Sequence, residues 1–244
     1  MAVKLVSSYT GDISILGIAE TFVLRLNAID ACACLVECML LLEEFPATVQ
    51  ALHEAIQNIL DACYELLKNK GLKNFLRLVL ITGNFMNSGS YAGNAVGFRL
   101  STLPKLIETR ANRPRITLLH YLVDEAQRKD RDSLKFTNEL LEKLKLCSRL
   151  SLDNLSGEVC QLDATLRRLD NRIQQEGGQL KLRFGTFVQN GSKQILVLKK
   201  KLEEIEHLSD QLAKRFCEDE KKFQLEECLN IVSVFCSKIK MAEA

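Results

Sequence analysis

Residues 83–105 read GNFMNSGSYAGNAVGFRLSTLPK and separate two apolar segments with helical spacing. This stretch, here called the signature stretch, holds four of the twelve glycines: Gly83, Gly89, Gly93 and Gly97. Glycine lowers the stability of regular helices and adopts backbone angles that other residues rarely reach. The cluster therefore predicts a chain path that other residues cannot follow, around which the rest of the chain is expected to be organised.

A glycine-rich stretch suggests a phosphate-binding loop, but the chemistry does not fit. The stretch lacks the G-x-G-x-x-G spacing, and it lacks the lysine and hydroxyl of G-x-x-x-x-G-K-[ST] that contact phosphates and magnesium. No strand pattern leads into it. The three histidines, His53, His120 and His207, stand apart from one another, whereas a zinc site or a nucleophile–base pair needs partners. The sequence predicts neither an enzyme nor a bound cofactor.

The composition favours a soluble helical protein. The 244 residues are 47% hydrophobic and 26% charged, with a net charge of +2, three prolines and no tryptophan. This composition is far from that of disordered chains, and the near-neutral charge argues against nucleic acid as a partner. No apolar run in the sequence reaches the ~18–20 residues that a transmembrane segment needs.

Nine cysteines are scattered through the apolar pattern, and no signal peptide precedes them. We therefore expect a reducing cytosolic environment in which the thiols pack as small hydrophobic groups. The spacing of Cys32, Cys34 and Cys38 could hold a metal, but zinc sites usually pair C-x-x-C with a second pair or with spaced histidines. Packing is the favoured interpretation, and no metal site is predicted.

Apolar periodicity predicts helices on both sides of the signature stretch. Residues 18–42 are apolar over most of the helical circumference, so we expect them to be central in the packing. The helical pattern is interrupted at about residues 27–30, which predicts two helices. Pro46 is expected in the first turn of the next helix, an amphipathic one that ends at Lys68 with Gly71 beyond its end. Residues 72–82, 116–127 and about 224–240 are further predicted helices.

Two heptad-like seams lie in the second half of the chain. One runs from Leu152 to Ile173 and the other from Ile195 to Phe216, each with alternating spacings of three and four. Because Gly177 and Gly178 separate them, the simplest arrangement is a pair of long antiparallel helices; self-association as a parallel coiled coil is the alternative. Strand signals are nearly absent, so the predicted fold is an elongated, multi-helix, all-α one.

Positive charge is concentrated at the end of the signature stretch and just beyond it. Arg99, Lys105, Arg110, Arg113 and Arg115 lie within 17 residues, against a single acidic side chain. One interpretation is a solvated loop. The other is a docking patch for an acidic protein surface, where such charges raise the association rate and set the orientation of the partner.

Three short motifs together resemble one known family. Residues 83–106 match the pattern G-N-x-M-N, a glycine-rich turn and G-F-x-L-x-x-L-x-K-L, and residues 117–122 read TLLHYL. Residues 216–219, FCED, precede the last predicted helix. This order of motifs resembles the formin homology 2 domain over nearly the whole chain. The sequence AGNAVGF at residues 92–98 is closest to the inverted-formin type.

The resemblance implies an actin-assembly domain in the cytoplasm and cytoskeleton. Domains of this family form head-to-tail dimers that nucleate actin filaments and bind their barbed ends. The resemblance assigns residues 1–45 to the remainder of the knob, 46–132 to the post and 133–244 to the long helical bundle and C-terminal helix. It places the surface that receives the lasso of a second formin domain at Gly83, Asn84, Phe85, Met86, Asn87, Gly89, Gly93, Gly97, Phe98 and Leu100. It places the actin contact at Lys105, Arg110 and Arg113.

The chain also departs from the family pattern. It begins inside the knob and has no tryptophan, so we expect the tryptophan-bearing lasso and the linker to be absent, with weak nucleation as the consequence. The position of the knob's own actin contact cannot be assigned. An alternative function is a helical cytoskeletal scaffold that binds microtubules, membranes or a partner protein, and another is a coiled-coil oligomeriser.

Overall fold

A computed structural model describes residues 11, 15–29, 31–90, 93–110, 116–130 and 132–243. Most of these residues are helical, and none of them lies in a strand; one isolated bridge joins Arg110 to Thr117. The all-α prediction is therefore confirmed. The helices are α1 (Ile18–Asn27), α2 (Cys32–Lys68), α3 (Lys70–Met86), α4 (Lys105–Glu108), α5 (Leu118–Lys129), α6 (Phe136–Cys147), α7 (Leu152–Glu176), α8 (Gly178–Arg215) and α9 (Leu225–Glu243), with a 3-10 turn at Leu100–Thr102.

The chain divides into two compact units. Unit 1 comprises Met1–Gln50 and Cys160–Leu196, and unit 2 comprises Ala51–Val159 and Val197–Ala244. Helices α2, α7 and α8 contribute residues to both units. The boundaries predicted at residues 45 and 132 follow the parts of the formin family, and they stay predictions. Among the described helices, none combines the length and the apolar character needed to cross a membrane.

The core of unit 1 joins α2, α7 and α8. The rings of Phe45 and Phe187 meet edge to face with centroids 5.4 Å apart. Gly191 of α8 lies so close to α7 that a Cβ there would be 3.0 Å from the Leu166 side chain and equally close to the Phe45 ring. Arg172 of α7 forms an ion pair with Glu37 of α2. Aromatic packing, a close helix approach and one ion pair thus hold the three helices together.

The first heptad-like seam and the chain reversal are confirmed. Leu166, Leu169 and Ile173 are buried in unit 1, as the seam predicted. Gly177 and Gly178 have φ of +66° and +49°, a region that favours glycine, and the chain reverses there from α7 into α8. Leu166, eleven residues before Gly177, lies against Gly191, thirteen residues after Gly178, so α7 and α8 are antiparallel within unit 1.

Two predictions about the start of α2 are wrong. Pro46 lies inside α2 and does not begin a helix. A proline here removes one backbone hydrogen bond, but the burial of Phe45 next to it keeps both flanking turns in place. The apolar run before it is not central either, because the buried stripe consists of Cys34, Cys38 and Phe45. Seven large apolar side chains of this run are exposed: Ile18, Phe22, Ile29, Val36, Met39, Leu40 and Leu42.

The core of unit 2 is built around Phe75 of α3. Its ring lies 5.8 Å from that of Phe136 in α6 and 5.9 Å from that of Phe235 in α9. Gly71 is in the first turn of α3 and does not act as a cap for α2. A Cβ at Gly71 would be 2.8 Å from the Cβ of Phe136, so glycine permits α6 to approach α3.

A polar network connects the end of α2 with α3 and α6. The Asn69 side chain caps α3 by accepting a hydrogen bond of 2.8 Å from the Leu72 N–H, and it donates to Glu65 and Glu139. Lys143 of α6 forms a 2.7 Å ion pair with Glu65. Hydrogen bonds from Lys143, and then from Asn69, lower the pKa of Glu65. This carboxylate is therefore held in its charged form.

The cysteines are packed thiols, as predicted. Six of the nine are buried, and all nine are free. Burial raises the pKa of the Cys63 and Cys236 thiols to about 12, and Cys147 donates a hydrogen bond to the Asn58 carbonyl at 3.3 Å. These thiols are neutral at physiological pH and behave as small hydrophobic groups. The exposed exceptions are Cys160 and Cys217.

Candidate functional site

The signature stretch begins as helix and not as a loop. Helix α3, which the sequence predicted to end at Thr82, continues to Met86, and the Asn87 N–H closes its last turn on the Gly83 carbonyl at 3.0 Å. Gly83 has a helical backbone, and a Cβ there would meet nothing within 4 Å. The expectation that each glycine marks a path closed to other residues is therefore wrong for Gly83.

The other three glycines do occupy constrained positions. Gly89 has a φ of +84°, a left-handed conformation that favours glycine. A Cβ at Gly93 would be 2.7 Å from the Asn87 carbonyl oxygen, which real side chains do not tolerate. A Cβ at Gly97 would be 3.0 Å from the Cys217 sulfur. The prediction of a path specific to glycine is confirmed at Gly89 and Gly93, whereas at Gly97 a Cβ would require only a small shift of the Cys217 side chain.

Asn84 closes the loop that follows α3. Its side-chain amide donates to the Ala95 carbonyl at 2.9 Å, and its side-chain oxygen accepts from the Ala95 N–H at 2.9 Å. One asparagine thus pairs with both backbone groups of a residue eleven positions later. The role of Asn84 is to position the loop, and spacing along the sequence gave no signal of this contact.

Phe85 and Met86 present apolar surface to solvent at the end of α3. Phe85 is 79% exposed and Met86 is 56% exposed. They border a groove of about 650 Å³, here called the Phe85 groove, whose opposite wall includes Ile116 and Tyr121. Large apolar side chains exposed beside a groove mark surfaces that bind protein partners.

Arg110 lies at the rim of the Phe85 groove. The Leu118 N–H donates to the Thr109 carbonyl at 2.8 Å, and the bridge between Arg110 and Thr117 continues this pairing. The His120 ring accepts from the Thr117 N–H at 3.3 Å and completes a capping box at the start of α5. His120 is therefore a structural residue that helps to position the groove wall.

Phe98 and Leu100 do not belong to the Phe85 groove. Leu100 is 3% exposed and forms part of the core, and its N–H donates to the Glu218 carboxylate at 2.9 Å. Phe98 lines a second groove, here called the Phe98 groove, with α3 and residues 215–217. A single apolar site walled by Phe85, Met86 and Phe98 together is therefore not formed, and the Leu100 side chain is not available to a partner.

The basic residues of the predicted actin contact are only partly described. Arg99, Lys105 and Arg110 are exposed. Arg113 and Arg115 lie outside the described residues. Within the described part of the chain, Lys105 and Arg110 form no ion pair. Their charges are thus free to meet acidic groups of a partner.

The comparison with known proteins identifies the family. The family model described as Formin Homology 2 Domain matches residues 2–240, so the chain belongs to that family and the resemblance seen in its motifs is confirmed. Human FH2 domain-containing protein 1 is 37% identical over 240 residues, which is 98% of this chain and 21% of that protein.

Two further relatives match nearly the whole chain at lower identity. Inverted formin-2 of Xenopus laevis is 32% identical over 233 residues, covering 96% of this chain and 21% of the relative. Protein diaphanous homolog 3 of Mus musculus is 28% identical over 245 aligned residues, covering 98% and 21% respectively. The chain thus spans about a fifth of the length of these relatives.

Proposed function

We propose that this chain is an actin-binding portion of a formin domain that acts at filament barbed ends in the cytoplasmic cytoskeleton. Membership of the formin homology 2 family supports this proposal. The observation that carries it is the Phe85 groove, where exposed apolar side chains lie beside Arg110, which forms no ion pair with another described residue. We propose two partners for this groove: a second formin domain and actin.

The apolar wall of the Phe85 groove is the proposed contact for the lasso of a second formin domain. Interfaces concentrate their binding energy in large apolar and aromatic side chains at the centre, surrounded by polar groups. Phe85 and Met86 supply the apolar centre, and Thr82, Thr117 and Asp124 supply polar groups around it. The loop fastened by Asn84 follows these two residues directly and limits their movement.

The rim of the same groove is the proposed contact for actin. Actin is acidic, and the family resemblance places a basic residue at the position of Arg110. Arg110 is exposed and pairs with no acidic side chain among the described residues, so binding a carboxylate costs it little loss of existing contacts. Lys105 and Arg113 are proposed to assist it. We expect the interaction to weaken with salt, because exposed charge pairs are screened.

A polypeptide limited to these 244 residues is proposed to nucleate filaments weakly. The resemblance implies that ring closure uses a tryptophan-bearing lasso, and the sequence contains no tryptophan. Robust nucleation of pyrene-labelled actin at nanomolar concentrations of this polypeptide would contradict the proposal.

Co-sedimentation with actin filaments tests the actin contact. We expect Arg110→Asp to lower binding about tenfold, because it removes one charge-assisted contact and adds a repulsive charge. Arg149→Asp is the matched control, since Arg149 is exposed and does not line the Phe85 groove. Equal losses for both variants would refute a specific role for Arg110. Co-sedimentation with microtubules but not with filaments would favour the scaffold alternative.

A further inference from the structure

A groove between α2 and α8 in unit 1 lies apart from the surfaces assigned to the formin contacts. This groove, here called the Pro46 groove, has a volume of about 580 Å³ and is lined from the segments 42–50 of α2 and 186–194 of α8. Both segments belong to unit 1, and neither overlaps the signature stretch or the basic residues that follow it. The volume is within the range of about 300–1,000 Å³ that is typical of small-molecule sites.

The floor of the Pro46 groove is apolar and aromatic. Phe45 is buried, and its ring meets the Phe187 ring edge to face. Because Gly191 has no side chain, α8 lies directly against the Phe45 ring. Leu42 and Val49 extend the apolar surface along α2. A flat aromatic group can pack on such a floor through ring-to-ring contacts.

The α2 wall of the groove contains a backbone carbonyl that lacks its helical donor. Pro46 lies inside α2 and has no N–H, so the Leu42 carbonyl does not receive the hydrogen bond that the residue four positions later normally donates. Leu42 and Pro46 both line the groove, so the carbonyl that points from one toward the other lies at its wall. A backbone carbonyl only accepts hydrogen bonds. The wall therefore favours a ligand that has a donor.

The α8 wall of the groove is polar and uncharged. Thr186, Asn190 and Gln194 follow at intervals of four residues and thus share one face of α8. Among the described residues that line the groove, none carries a charge. A charged ligand would lose hydration here without meeting an opposite charge, whereas hydroxyl and carboxamide groups exchange hydrogen bonds with neutral polar groups. The groove therefore favours an uncharged ligand.

We propose that the Pro46 groove binds a small, uncharged aromatic compound that carries a ring N–H. The ring lies on the floor formed by Phe45 and Phe187, and its N–H donates to the Leu42 carbonyl. Amide or hydroxyl substituents of the compound bind Asn190 and Gln194. The aromatic floor selects the ring, the carbonyl selects the donor, and the uncharged lining excludes phosphate and carboxylate groups. This binding does not depend on the proposed actin contact.

Ligand fluorescence tests the site, because the chain contains no tryptophan that would interfere with the emission of an indole compound. The probe is N-acetyltryptophanamide, and its fluorescence anisotropy is expected to rise as the chain is added. N-acetyl-1-methyltryptophanamide lacks only the ring N–H, and N-acetyltryptophan adds a negative charge. We expect each of these two compounds to bind about three- to tenfold more weakly than the probe, which is the effect of one lost hydrogen bond or one uncompensated charge. An anisotropy that does not rise with chain concentration would overturn the proposal.

Pro46→Ala tests the carbonyl acceptor. Alanine supplies the N–H that pairs with the Leu42 carbonyl, so α2 is expected to stay intact while the acceptor becomes occupied. In this variant we expect the probe and its 1-methyl counterpart to bind equally, because their difference depends on that acceptor. A preference for the probe that persists unchanged in Pro46→Ala would contradict the assigned hydrogen bond, and circular dichroism checks that the helical content is retained.

Gln194→Glu tests the uncharged wall with little change in shape. A bound ligand would cover the new carboxylate and remove its hydration, so we expect the probe to bind about three- to tenfold more weakly. Gln189→Glu is the matched control, because Gln189 is exposed on α8 and does not line the groove. Equal losses in both variants would overturn the proposal.

Two other occupants of the groove give different results. An uncharged twelve-residue peptide with one tryptophan that binds about a hundredfold more tightly than the probe would overturn the proposal, since the occupant would then be a segment of a partner protein. A fall in probe binding as the chain dimerises at high concentration, followed by light scattering, would overturn it in favour of a second copy of this chain.

Discussion

Replacing Asn84 by alanine tests how the signature stretch is held in place. The substitution removes both hydrogen bonds that join this side chain to Ala95. A typical net contribution is about 0.5–1.5 kcal/mol for each hydrogen bond. Because these two are at exposed positions, water replaces them without a large desolvation cost, and we expect a loss of about 1 kcal/mol for the pair. For a chain of this size that corresponds to a fall of about 2–4 °C in Tm.

The local effect is the more specific readout. A loss of about 1 kcal/mol raises the population of the open loop roughly fivefold, so the Ala95 amide is expected to exchange with deuterium at least about fivefold faster. Asn74→Ala is the matched control, because Asn74 is exposed on the same helix and makes no such pair. An Ala95 exchange rate that is unchanged in Asn84→Ala, or raised equally in Asn74→Ala, would refute the positioning role.

Three further predictions follow from the described contacts. Gly83→Ala is expected to raise the free energy of unfolding by up to about 1 kcal/mol, because alanine stabilises an open helical position more than glycine does. Gly93→Ala is expected to lower the free energy of unfolding. Urea titration measures both values, and equal effects of the two substitutions would contradict the geometry. The pKa of Glu65 is lower in the folded chain than in the unfolded chain. The Glu65 carboxylate therefore stabilises the fold at pH values above its unfolded pKa, and this stabilisation is lost as the pH falls through its folded pKa. Between pH 7 and pH 3, the free energy of unfolding from urea titrations is therefore expected to fall less for Lys143→Met than for the parent chain. An equal fall in both would contradict the assignment of Lys143 as the main cause of the lowered Glu65 pKa. Six of the nine thiols are expected to react with Ellman's reagent only after unfolding, and fast reaction of more than three would contradict the described burial.

Periodicity predicted the helical elements well because burial repeats with the helical turn. The seam around Leu166 and the reversal at Gly177 and Gly178 follow from residues that are near one another in sequence. The family could also be identified from the order of residues 83–106. Local spacing thus predicted the fold class, and the order of the motifs identified the family.

Features that depend on distant contacts could not be predicted in this way. Pro46 is tolerated inside α2 because Phe45 packs on a ring of α8 that lies far away in sequence. The pairing of Asn84 with Ala95 leaves no periodic signal. The burial of Leu100 depends on contacts formed in the folded chain. The carboxylate that accepts its backbone N–H belongs to Glu218, 118 residues further on. Each of these requires tertiary structure that spacing does not encode.

Barbed-end elongation of preformed actin filaments tests the proposed function most directly. Elongation rates of single filaments are measured while the concentration of the purified chain is raised. The proposal predicts that the chain lowers the elongation rate at the barbed end. It also predicts that Arg110→Asp lowers this effect about tenfold and that Arg149→Asp, an exposed position outside the Phe85 groove, retains it. Barbed ends that elongate at the same rate with and without the chain would contradict the proposed function.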